Sequence, residues 1–90
     1  MDVYEKAAEK IIKEQESIVG PLALEQAKQV NGLKLSDHHV SFSGNKVDTL
    51  DRLVAQYRRL FGQTSVEVCR DAARGLLSKL PEQEIPSLLR

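Results

Sequence analysis

The stretch from Lys46 to Leu80 constrains the fold more than any other part of this chain. It reads as two amphipathic helices joined at Phe61-Gly62-Gln63. Val47, Leu50, Leu53, Val54, Tyr57, Leu60 and Phe61 fall on one stripe of the first. Val66, Cys69, Ala72, Ala73, Leu76, Leu77 and Leu80 fall on one stripe of the second. Residues at this spacing share a face, so each helix must bury that face against something. The expected core is an antiparallel hairpin of these two helices.

The rest of the chain extends the pattern. Asp2 to Val19 is expected to be a helix, with Asp2 and Glu5 at capping-box spacing. Its stripe is Tyr4, Ala7, Ala8, Ile11, Ile12, Ile18 and Val19, interrupted by polar Gln15. Glu9 and Lys13 are in the favourable order for an ion pair. Gly20-Pro21 ends this helix and starts a short second one, Pro21 to Val30, which Asn31-Gly32 stops. Leu33-Lys34-Leu35 and Val40-Ser41-Phe42 alternate apolar and polar around Ser36-Asp37-His38-His39, the signature of a short β-hairpin. A lone hairpin is unstable, so it must lie on the helices or pair with another chain. Asn45 or Asp48 caps the third helix. Thr64-Ser65-Val66-Glu67 has capping-box spacing for the fourth. Gly75 inside that helix suggests close approach of another backbone. The expected fold class is therefore mainly α with a minor β-hairpin: four helices, the hairpin lying between the second and third.

Ninety residues make one small domain, placed at 1–81, with 82–90 as a C-terminal tail. With only Tyr4, Phe42, Tyr57 and Phe61 as aromatics, the core must come from Leu, Val, Ile and Ala, which suits helices better than a sandwich of strands. Such helices offer more apolar face than ninety residues cover easily, so a homodimer is expected. The tail has Ile85, Leu88 and Leu89 as apolar anchors. They suit a docking segment for a protein partner, or a segment folded back on the domain.

The formal charge is zero, which argues against a general nucleic-acid coat. The charge is uneven, however. Residues 1–45 hold five lysines and seven carboxylates, and residues 46–90 hold eight basic and six acidic side chains. Most of the latter bases are arginines, which suit bidentate contact with carboxylate or phosphate. Arg52, Arg58, Arg59, Arg70 and Arg74 are the candidate contacts for a partner or an anion. Asp48, Glu67 and Asp71 stand at ion-pair spacing from Arg52, Arg70 and Arg74, so surface pairing is the plainer reading. A DNA-binding helix-turn-helix fits less well, because Glu67 lies where the second helix would approach the phosphates.

No catalytic constellation is visible. Asp37, His38 and His39 form a weak metal set, since neighbours on an extended chain point to opposite faces. Cys69 lies on an apolar stripe and reads as core. No cofactor is expected. Met1 runs directly into a charged helix, and no apolar run is long enough for a membrane, so a cytoplasmic location is expected. The expectation for function is a small, non-enzymatic interaction or regulatory module acting as a homodimer. The alternative is a nucleic-acid or anion-binding transcriptional regulator that uses the arginines of the third and fourth helices.

Overall fold

The computed structural model describes residues 2–37 and 39–90. Among them are four α-helices, α1 (Val3–Val19), α2 (Leu22–Ala27), α3 (Lys46–Phe61) and α4 (Gln63–Leu77). Two strands, β1 (Leu33–Ser36) and β2 (His39–Phe42), lie between α2 and α3. Two single-turn 3-10 helices, Glu82–Glu84 and Ser87–Leu89, close the chain. The protein is mainly α with a minor antiparallel hairpin, as the periodicity predicts.

Local chemistry accounts for most boundaries. The Asp2 carboxylate accepts the Glu5 N–H, and the Glu5 carboxylate accepts the Asp2 N–H, completing the predicted capping box. The Asn45 side chain caps α3 by accepting the Asp48 N–H at 2.9 Å. The hairpin pairs Leu33 with Phe42 and Leu35 with Val40, which puts its apolar residues on one face. Glu9 anchors that hairpin on α1. Its carboxylate accepts the Val40 N–H at 2.9 Å and lies 3.7 Å from His39 Nδ1. Glu9 is thus used between elements, not in the predicted surface pair with Lys13.

The start of α4 departs from the predicted capping box. The helix begins at Gln63, directly after Gly62, so Thr64 lies inside it and caps nothing. Gly62 sits at φ 86, a left-handed conformation that glycine adopts without a steric penalty. This lets one residue reverse the chain between α3 and α4. The Ser65 hydroxyl donates to the Gly62 carbonyl at 2.8 Å and secures the first turn.

The four helices enclose one apolar core. Ala7, Ala8 and Ile11 of α1, Leu50, Leu53, Val54 and Tyr57 of α3, and Cys69 of α4 have no exposed surface. Each buried Leu or Ile contributes about 1.5–3 kcal/mol. The contact of α4 with α1 is more extensive than its contact with α3, and α1 also packs on α2, α3 and β2, so α1 is the central helix. The expected α3–α4 hairpin is present, but α1 supplies the larger half of its cover. Gln15, which breaks the apolar stripe of α1, is buried to 1 % exposure. Its amide donates to the Ser65 carbonyl at 3.1 Å and to Cys69 Sγ at 3.4 Å.

Gly75 does not admit a neighbouring backbone. It is exposed, and a Cβ there would meet nothing within 4 Å. Its hydrogen side chain therefore only weakens α4. Gly75→Ala is expected to raise stability by about 1 kcal/mol, read from the midpoint of urea unfolding. Unchanged or lowered stability would show a packing role for this glycine.

Candidate functional site

The five candidate arginines do not form one patch. Arg52 and Arg59 share one side of α3, two turns apart. Nη2 of Arg52 donates to the Asn31 carbonyl and to Thr49 Oγ1, both at 3.2 Å. The predicted pairing with Asp48 is not used. Thr49 is itself buried, and its hydroxyl donates to the Asn45 carbonyl at 2.7 Å. Nη2 of Arg59 donates to Gln56 Oε1 at 3.1 Å, and the Gln56 amide donates to Gln26 Oε1 at 2.7 Å. The two arginines lie along a cleft of about 300 Å³ against residues 29–31.

Arg70 and Arg74 are on α4 and are neutralised. Nη1 of Arg70 lies 2.9 Å from Glu67, and Nη1 of Arg74 lies 3.0 Å from Asp71. These are the pairs that their spacing predicts, and such exposed pairs add only a few tenths of a kcal/mol. Arg58 is exposed and does not line the cleft that holds Arg52 and Arg59.

Residues 82–90 are folded onto the domain. Ile85, Leu88 and Leu89 are half-buried against the core, and Pro86 is buried. The Asp51 carboxylate of α3 accepts the Ser87 hydroxyl at 2.8 Å and the Leu88 N–H at 2.9 Å. Nε of Arg70 on α4 donates to the Leu88 carbonyl at 3.1 Å. The Tyr4 hydroxyl of α1 donates to the Glu84 carbonyl at 2.7 Å. Of the two expectations for Ile85, Leu88 and Leu89, the fold-back arrangement is the one present. Arg70 is therefore as much a tail anchor as a surface charge. Nothing local marks Asp51 for this role, because its partners lie over thirty residues away.

Cys69 is wholly buried between α1 and α4. Burial pushes its thiol up to about 11, so it stays protonated at neutral pH. Tyr57 is also raised well above its ordinary value by burial, and its hydroxyl donates to the Ala23 carbonyl at 2.7 Å. His39 is tied to Glu9. His38 of the weak metal set lies outside the described residues. Among the described residues, no group of three or more His, Cys, Asp and Glu side chains could hold a metal ion. No helix there is long and apolar enough to cross a membrane.

The described surface has a second feature, which is apolar. Ile18, Leu22 and Leu60 are 62, 46 and 44 % exposed. They sit on the last turn of α1, the start of α2 and the last turn of α3. These termini meet at one end of the molecule. The Tyr57–Ala23 bond joins the end of α3 to the start of α2, and the Gln15–Ser65 bond joins the end of α1 to the start of α4. Ile18 falls on the predicted stripe of α1 but is not covered. It lines a shallow groove between α1 and α4 with Val68, Asp71 and Ala72. Comparison with known proteins adds no relative to this geometry: no family model, no curated protein and no solved structure matches the chain.

Proposed function

We propose that this protein is a small, soluble, cytoplasmic interaction module that catalyses no reaction and works as a homodimer. The observation that carries this reading is the apolar end. All three large hydrophobic side chains described as exposed, Ile18, Leu22 and Leu60, belong to helix termini that converge there. Exposed apolar residues scattered singly are ordinary, whereas three carried on adjoining helix termini suit an association surface. A small domain also gains proportionately from burial in a dimer. A two-fold contact sets the same patch against itself, so one apolar end suffices. A protein partner then docks on the dimer through apolar contacts that salt affects little.

Sedimentation at micromolar concentration is expected to give a dimer. Ile18→Glu combined with Leu60→Glu is expected to give a monomer with unchanged helix content by circular dichroism. A monomeric unaltered chain would overturn the reading.

A further inference from the structure

We propose that the cleft between α3 and residues 29–31 binds a small sugar-like molecule bearing two phosphate groups, one on Arg52 and one on Arg59. The inference starts from how each arginine is held. Arg70 and Arg74 each face a carboxylate at 3.0 Å or less, so their charge is compensated. Arg52 and Arg59 are held by a backbone carbonyl, a hydroxyl and an amide oxygen, all neutral. Their guanidinium groups are thus oriented yet keep their full charge. Among the described residues, each uses only Nη2 in these bonds. The Nε and Nη1 donors are left for a ligand, and a guanidinium fork grips phosphate with two parallel bonds.

The surroundings narrow the ligand. No acidic side chain lines this cleft. Gln29 and Asn31 offer amides at its wall, which suit the hydroxyls of a sugar, above Val30 and Ala55. Its volume, about 300 Å³, is at the small end for metabolite sites. Seven residues of helix separate the two arginines by about 10 Å along the axis. Both side chains are held by residues three positions earlier, so they lean the same way and keep that separation. Two anionic groups at opposite ends of one small molecule match it better than a single phosphate. Arg59 shares the last turn of α3 with Leu60, but the cleft is complete within one chain and does not depend on dimer formation.

The probe is fructose 1,6-bisphosphate, titrated calorimetrically at constant ionic strength against fructose 6-phosphate and a single-stranded oligonucleotide. The bisphosphate is expected to bind about tenfold or more tightly than the monophosphate, the effect of one lost charge-assisted contact. Arg59→Gln is expected to weaken it about tenfold, and Arg74→Gln to leave it unchanged. Among the described residues, the Arg59 side chain hydrogen-bonds only to Gln56 on its own helix, so its replacement should not disturb the fold. Equal binding of mono- and bisphosphate would overturn the proposal. So would an equal loss on Arg74→Gln, or tighter binding of the oligonucleotide.

Discussion

Gly32→Ala is expected to cost about 3 kcal/mol, from two penalties that add. Gly32 sits at φ +89, where an L side chain is strained by about 1–2 kcal/mol. A Cβ there would also come within 2.9 Å of Thr49 Oγ1 and 3.0 Å of the Ser43 carbonyl oxygen. Neither atom is free to yield. Thr49 is wholly buried and bonded to Asn45, and the Ser43 N–H is itself bonded to the Gly32 carbonyl at 2.8 Å. Forcing an extra methyl into such a site costs about 1–3 kcal/mol. Gly20→Ala separates the two penalties. Gly20 has φ 66 but nothing within 4 Å of its would-be Cβ, so it should bear the backbone cost alone. Urea unfolding of both variants is the measurement, and equal losses would show that the close approach at Gly32 is harmless. The same variant should displace the Asn31 carbonyl from Arg52, coupling this loop to the arginine cleft.

Gly32 also illustrates what was legible in the sequence. Asn31-Gly32 reads as a helix stop, but α2 already ends at Ala27, and the pair instead turns the chain into β1. That the glycine is needed because α3 presses a buried threonine against it depends on a contact far along the chain. The helices and hairpin were legible because periodicity is local: Leu50, Leu53, Val54 and Tyr57 fall on the buried face of α3 as their spacing requires. The caps at Asp2 and Asn45 were legible for the same reason. The capping box at Thr64 failed because Gly62 lets the helix begin earlier, and because Ser65 is drawn into the interface with α1. The candidate arginines were legible as residues but not as a grouping. Spacing pairs Arg52 with Asp48, whereas the loop ending at Gly32 supplies Asn31 instead. The hold on the tail was not legible, since Asp51 and Arg70 meet Leu88 only once α3 and α4 have packed.

Gln15→Glu is expected to be the most damaging near-isosteric change, lowering stability by roughly 3 kcal/mol or more at neutral pH. Gln15 is a polar residue in an apolar stripe, and the fold tolerates it because its amide is a donor facing two acceptors, the Ser65 carbonyl and Cys69 Sγ. Glutamate has the same shape but no donor when ionised. Its carboxylate would be buried against a carbonyl oxygen, with only a weak thiol S–H to donate to it. Burial disfavours the charged form, so the folded carboxyl would titrate above its unfolded value of about 4.3. The native state then holds more protons than the unfolded one. Stability relative to the unaltered chain is therefore largest below about pH 4 and falls as pH rises above it. Gln15→Leu removes the donor without adding a charge and fills a similar volume. It should change stability by less than about 1.5 kcal/mol at either pH. Urea unfolding of both variants at pH 4 and pH 7 distinguishes the causes. If Gln15→Glu loses as much at pH 4 as at pH 7, the damage is one of shape, and the donor on Gln15 is not what the α1–α4 interface requires.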